Sequence, residues 1–189
     1  MKILCFGDSN TYGYDPRSFW GERYLSEDRW VDILAGKLNC AAINAGENGR
    51  EIPHNPWEMA EFQRLLEAEK TIDLLIVMLG TNDLLQGNSF EAIEKRMEVF
   101  LRQISMNSCQ ILLVAPPILQ PGEWVASRGL IEASKVLNET YRKLANGLGV
   151  GFVDAGEWNL PLAFDGVHLT QEGHRAFADG MLRYFRKGE

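Results

Sequence analysis

Three residue types that together make a serine hydroxyl reactive occur in this sequence at spacings that allow them to meet. A serine is a poor nucleophile unless a neighbouring base removes its proton, and the base needs an orienting partner. Histidine is the natural base, because its unperturbed pKa lies near ~6.5. His168 has a carboxylate, Asp165, three residues before it, whereas His54 lies in a proline-containing stretch and His174 falls within the last predicted helix, where we expect a surface position. Positions i and i+3 of a turn can point the same way, so Asp165 can accept the Nδ1 proton and leave Nε2 facing Ser9.

Acyl transfer also requires hydrogen-bond donors aimed at the developing oxyanion, and three loops offer them. Ser9 is predicted to start a helical turn, where its backbone N–H has no intrahelical acceptor. Gly49 lacks a Cβ, so its N–H can be presented where another residue would clash. Asn82 offers a side-chain amide. We therefore expect Ser9, Gly49 and Asn82 to form an oxyanion hole.

The elements that must position these residues are short apolar runs alternating with segments of helical period. The expected strands are residues 3–6, 41–45, 74–79, 111–115 and 151–153, each buried on both faces. Strictly alternating strands and helices predict an α/β fold: a three-layer α/β/α sandwich around a five-stranded parallel sheet. Ligands bind beyond the carboxyl ends of such strands. The candidate residues all follow predicted strands, so they are expected to converge on that edge.

Four sequence blocks resemble the SGNH or GDSL-type esterase/lipase family. They are Gly7-Asp8-Ser9, Gly49, Gly80-Thr81-Asn82-Asp83 and Asp165-x-x-His168, in that order across residues 7–168. The resemblance implies a flavodoxin-like fold, Ser9 as nucleophile, a triad completed by Asp165 and His168, and an oxyanion hole of Ser9, Gly49 and Asn82. The surroundings of the first and third blocks are similar to bacterial arylesterase/acyltransferase members. Asn10 is a departure, because the family motif has leucine there.

These features predict a serine esterase that hydrolyses small or short-chain carboxylic esters through an acyl-enzyme on Ser9. Acyl transfer to an alcohol and deacetylation of a carbohydrate share the same first half-reaction and stay open as alternatives. A non-catalytic module that binds a sugar or lipid on the same fold is a third. The G-x-S-x-G elbow of α/β-hydrolases is disfavoured, because Thr11 stands where its second glycine would be.

Composition restricts the partners. The 189 residues carry a net charge of −7 and no basic run, so we predict no nucleic-acid partner. The longest apolar stretches, 74–79 and 111–118, are far shorter than the ~20 residues that span a bilayer, so no membrane association is expected. We expect no cofactor and no metal, because neither a phosphate-binding glycine loop nor metal-ligand spacing is present. The expected partner is a small-molecule ester.

The chain is predicted to be a single domain, residues 1–189, because its composition does not shift and no linker or repeat occurs. A polar turn follows the first few apolar residues too soon for a signal peptide. Three widely spaced cysteines favour reduced thiols. Together these features predict a cytoplasmic location.

Several aromatic residues allow two interpretations. Trp20, Trp124 and Trp158 lie in loops and can line a substrate pocket or bury an interface between subunits, so homo-oligomer formation stays open. Trp30 and Trp57 belong to helical patterns and are expected in the core.

Overall fold

Five parallel strands form the centre of the computed structural model, which describes residues 1–69, 71–104 and 109–187. The sheet has the order β2-β1-β3-β4-β5. Its strands are β1 (Lys2–Gly7), β2 (Ala41–Gly46), β3 (Leu74–Met78), β4 (Gln110–Ala115) and β5 (Gly151–Asp154). Every neighbouring pair is parallel. The predicted five-stranded parallel α/β architecture is confirmed.

Helices connect the strands and cover both faces of the sheet. They are α1 (Ser9–Tyr12), α2 (Trp30–Leu38), α3 (Pro56–Glu69), α4 (Thr81–Leu85), α5 (Phe90–Ile104), α6 (Arg128–Leu148) and α7 (Gln171–Lys187). Single 3₁₀ turns occur at Ser26–Asp28 and Ala155–Trp158. Helices α3, α5 and α6 enclose one apolar cluster and α2 and α7 enclose another on the opposite face. This is the predicted three-layer sandwich.

Successive residues of β1 show how the sheet serves both clusters. Leu4 and Phe6 pack into the first cluster, and Ile3 and Cys5 pack into the second. Alternation of side chains along a strand produces this division. Burial of the Cys5 thiol raises its pKa, so it stays a neutral core residue.

Burial of all five strands on both faces was predicted, and for two strands this is wrong. The edge strands β2 and β5 are mostly half-buried. An edge strand has a neighbour on one side only, and its side chains lie near the border of the covering helices. The central strands β1, β3 and β4 are buried along nearly their whole length.

Candidate active site

Ser9 lies at the carboxyl end of β1, in a tight strand-to-helix turn. The carboxylate of Asp8 caps α1 by accepting a hydrogen bond from the Asn10 N–H at 3.0 Å. A Cβ on Gly7 would lie 2.1 Å from Thr11 Oγ1, so the turn depends on glycine there. The cap and the close approach fix the Ser9 backbone at the sheet edge.

His168 and Asp165 lie in the loop before α7, and Asp165 organises that loop. One carboxylate oxygen of Asp165 accepts the backbone N–H groups of Val167 at 2.8 Å and His168 at 2.9 Å. The other oxygen lies 2.8 Å from His168 Nδ1. Burial would raise the pKa of Asp165, but the hydrogen bonds from His168 and Val167 outweigh it and hold the pKa below its usual value. Asp165 is thus a charged acceptor that orients the imidazole ring.

The loop brings the histidine to the serine. His168 Nε2 lies 2.9 Å from Ser9 Oγ, across 159 positions of sequence. All three side chains are buried, with 6% of Ser9, 3% of His168 and 1% of Asp165 exposed. The structure therefore places a hydroxyl, an imidazole and a carboxylate in one hydrogen-bonded chain. In this geometry the imidazole can accept the hydroxyl proton while the carboxylate offsets its positive charge.

The three expected oxyanion donors lie in the segments that follow β1, β2 and β3. Ser9 is the first residue of α1, so its N–H has no acceptor within the helix. Gly49 has a φ of 76°, and nothing lies within 4 Å of the position a Cβ would take. Asn82 donates one N–H of its amide to the Arg50 carbonyl at 3.0 Å, which leaves the second N–H for another acceptor.

An ion pair between a buried aspartate and a partly buried arginine ties two of these segments together, and sequence reasoning missed it. Asp83 accepts the Ile52 N–H at 3.0 Å and an Arg96 Nη1 hydrogen bond at 2.9 Å. The same nitrogen of Arg96 lies 2.9 Å from Glu51, and the guanidinium also donates to Asn88. Burial raises the pKa of Asp83, which Arg96 opposes. The pair joins the loop of Asn82 to the segment that follows Gly49.

Aromatic rings lie against the histidine. The ring centroids of Tyr14 and Trp124 are 4.7 and 5.1 Å from that of His168, both edge to face. The backbone N–H of Trp124 donates to the Asp165 carbonyl at 3.1 Å. These rings form part of the wall around the candidate base.

The other tryptophans have different surroundings. Trp158 is partly buried and packs against Phe177 at the border of the core. Trp20 is 83% exposed and contacts Phe19, which leaves its role open. Trp30 is buried as expected, but the expectation for Trp57 is wrong: it is 66% exposed, at the start of α3.

His174 also differs from its prediction. It is fully buried on the side of α7 that faces α2. Its Nδ1 accepts the backbone N–H of Trp30 at 3.5 Å, and its ring contacts Tyr24. Burial lowers its pKa to about 3. It is a neutral core residue at neutral pH.

A cavity of about 520 Å³ lies beside the candidate site, between residues 45–51 and α3. Its lining includes Gly49, Trp57 and Phe62, but not Ser9, Asp165 or His168. It is therefore a neighbour of the site and not its centre. Among residues 1–69, 71–104 and 109–187, no group of three or more His, Cys, Asp and Glu could hold a metal ion. Within the same ranges, no helix is long and apolar enough to cross a membrane.

Comparison with known proteins defines the class of this chain. The GDSL-like lipase/acylhydrolase family model matches residues 5–176, which include all the candidate site residues. Together with its structural neighbours, this match makes the protein a carboxylic ester hydrolase. The chain belongs to the GDSL-like lipase/acylhydrolase family, so the resemblance seen in its sequence blocks is confirmed.

Solved structures of similar proteins share the whole fold. The aryl esterase of M. smegmatis is 28% identical, with 98% of each chain covered and a TM-score of 0.86. A carbohydrate acetylesterase from Sinorhizobium meliloti is 27% identical, with 100% of this chain and 99% of that chain covered and a TM-score of 0.87. A carbohydrate acetylesterase family member from the same organism is 29% identical, with 98% and 97% covered and a TM-score of 0.85. No curated protein matches the chain by sequence.

Proposed function

We propose that the protein is a serine esterase that hydrolyses small or short-chain carboxylic esters through an acyl-enzyme on Ser9. One observation carries the proposal: Ser9 Oγ lies 2.9 Å from His168 Nε2, and His168 Nδ1 lies 2.8 Å from Asp165. A proton leaving the hydroxyl has an acceptor already in contact. The imidazolium that then forms is stabilised by the negative charge of Asp165 beside its Nδ1.

The reaction runs in two halves. Ser9 Oγ attacks the ester carbonyl carbon while its proton moves to His168 Nε2. The tetrahedral intermediate then expels the alcohol, which takes the proton from Nε2, and the acyl group stays on Ser9. A water molecule next gives a proton to Nε2 and attacks the acyl carbon, and Ser9 Oγ regains the proton as the acid departs.

The negative oxygen of each tetrahedral intermediate needs donors that are in place beforehand. The N–H groups of Ser9 and Gly49 and the free amide N–H of Asn82 have that role in the proposal. Gly49 supports it because the space beside its Cα is open, so a substrate oxygen can approach the backbone. Donors held by the fold cost no reorganisation when the charge develops.

The surroundings of His168 favour compact substrates. Tyr14 and Trp124 stand against the imidazole ring, which must return its proton to the leaving alcohol, so a compact alcohol fits beside them best. Flat aryl leaving groups suit such walls, and the similar aryl esterase of M. smegmatis agrees with that choice. The carbohydrate acetylesterases from S. meliloti favour acetylated carbohydrate as the second candidate substrate. Transfer of the acyl group to an alcohol uses the same acyl-enzyme, so product analysis with added alcohol separates it from hydrolysis.

The test is a pair of serine variants assayed with p-nitrophenyl acetate and a fluorophosphonate probe. Ser9→Ala should lower turnover at least about 1000-fold and abolish labelling, because it removes the hydroxyl that lies 2.9 Å from His168 Nε2. Ser134→Ala is the matched control, since Ser134 is also buried but its hydroxyl accepts from the Leu119 N–H and donates to the Ile131 carbonyl. Full turnover by Ser9→Ala would overturn the proposal, and so would labelling of folded wild type at any residue other than Ser9.

A further inference from the structure

His168 lies in the loop of residues 159–170, called here the His168 loop. The side chain of Asn10 binds this loop on both sides of the histidine. Its amide nitrogen donates to the Val167 carbonyl at 3.1 Å, and its amide oxygen accepts the Leu169 N–H at 2.8 Å. The two partners are the residues immediately before and after His168. Asn10 is 3% exposed, so water does not compete freely for these hydrogen bonds.

The backbone of Asn10 is itself fixed. Its N–H donates to the Asp8 carboxylate at 3.0 Å, and its carbonyl accepts the indole N–H of Trp30 at 3.0 Å. Asn10 is the residue that follows Ser9 in the sequence, and both belong to the first turn of α1. The side chain that holds the His168 loop and the hydroxyl that faces His168 therefore belong to one rigid turn.

We infer that Asn10 is a positioning residue for the reaction: it sets the distance between His168 Nε2 and Ser9 Oγ. The inference rests on the proposed roles of Ser9 and His168. A carboxamide offers a donor and an acceptor on one planar group, which is what the carbonyl of residue 167 and the N–H of residue 169 require. The leucine of the family motif can provide neither. Asn10 therefore makes two hydrogen bonds to the His168 loop that a leucine at this position cannot make.

Loss of this tie should act on the rate and not on substrate binding. Without Asn10 the buried Val167 carbonyl and Leu169 N–H lose their partners, and the loop must shift to satisfy them. A displacement of about 1 Å at the reacting atoms can cost about 100-fold in rate. We therefore expect Asn10→Leu to lower kcat by about 10- to 100-fold, with KM changed less than about threefold.

The experiment compares Asn10→Leu with Asn138→Leu in the full chain. Asn138 is an equally buried amide that donates instead to the Pro116 carbonyl and the Asp154 carboxylate. Steady-state rates with p-nitrophenyl acetate are divided by the fraction of Ser9 labelled at the end point by a fluorophosphonate, measured by mass spectrometry. This division removes losses due to unfolded protein. Asn138→Leu should lose stability but keep kcat per labelled site.

Each outcome decides the inference. A loss of kcat per labelled site in Asn10→Leu that exceeds the loss in Asn138→Leu at least tenfold supports it. Any smaller difference between the losses of the two variants overturns it. If Asn10→Leu does not fold, Asn10→Ala, which adds no bulk, is judged by the same limits. Ser9→Ala is assayed alongside: its retention of turnover would overturn the proposed function and this inference with it, whereas an inactive Ser9→Ala with a wild-type-like Asn10→Leu would overturn the inference alone.

Discussion

The buried His174 makes the stability of the fold depend on pH in a defined direction. Burial lowers its pKa to about 3, whereas histidine in an unfolded chain has a pKa near ~6.5. Between these values only the unfolded chain takes up the proton. The free energy of unfolding therefore falls as the pH drops below ~6.5, because protonation stabilises the unfolded state alone.

The magnitude follows from proton linkage. One proton bound only by the unfolded chain changes the free energy of unfolding by about 1.4 kcal/mol per pH unit, which amounts to about 2 kcal/mol between pH 7 and pH 5. Asp8 acts in the opposite direction, since burial raises its pKa to about 6 and the folded protein takes up that proton first. Its contribution over the same interval is about 1 kcal/mol. The pH dependence of the wild type alone thus mixes two opposite effects.

A substitution that removes only the histidine isolates its effect. In His174→Gln the side-chain amide oxygen can still accept the backbone N–H of Trp30, but the side chain cannot be protonated. Urea unfolding followed by tryptophan fluorescence gives the stability of both proteins at pH 7 and pH 5. The stability difference should shift by about 2 kcal/mol in favour of the variant at pH 5. His54→Gln, at a histidine about a third exposed, is the matched control. A wild type-to-variant difference that is the same at both pH values would refute the argument.

Three further substitutions test the site itself. Asn82→Ala should lower kcat about 100- to 1000-fold with little change in KM, as steady-state kinetics can show; a loss below tenfold would remove the amide from the oxyanion hole. Gly122→Ala should lower activity strongly, because the new Cβ would lie 2.3 Å from the Asp165 backbone; an active variant with unchanged urea midpoint would contradict this contact. Arg96→Met should lower kcat about tenfold, because it loosens the segments that carry Gly49 and Asn82. Arg102→Met, on the exposed side of α5, should leave kcat unchanged. Equal kcat values for the two variants would argue against this role of the Asp83–Arg96 ion pair.

Sequence reasoning located the candidate site because its chemistry follows local signals. Ser9 comes directly after a short apolar strand, and Asp165 and His168 share one turn, so each could be placed without knowledge of distant contacts. The role of Asn10 could not be found in this way, since its partner Val167 lies 157 positions away. The departure from the family motif at Asn10 was the only local sign. Pairings of this kind depend on how loops meet in space, which a single sequence does not record.

The error at His174 has a different origin. A polar residue within a helix was expected on the surface, yet Phe177 and Met181 follow it at i+3 and i+7 on the same helical face. That periodicity already placed His174 on the buried side of α7. At this position of α7 the helical periodicity, and not the polarity of the residue, determines burial.

The candidate base is held differently from the candidate nucleophile, and the difference explains where the site is vulnerable. Ser9 lies two residues beyond the end of β1, in a turn held by the Asp8 cap, so it is fixed close to the sheet. His168 lies in a long loop between β5 and α7 and depends on contacts from other segments. The backbone N–H groups of Gln120 and Trp124 donate to the carbonyls of Gly166 and Asp165, respectively. The side chain of Asn10 donates to the Val167 carbonyl.

These contacts leave no room for larger residues where the backbones meet. A Cβ on Gly122 would lie 2.3 Å from the Asp165 carbonyl carbon, and one on Gly166 would lie 2.1 Å from the Gln120 oxygen. Substitutions at either glycine should force these two backbone segments apart and so disturb the loop that carries His168, although neither glycine touches a substrate in the proposed reaction. The sheet can therefore fold normally around an intact Ser9 while the protein loses its activity, because the distance from hydroxyl to imidazole is set by loop contacts and not by the sheet.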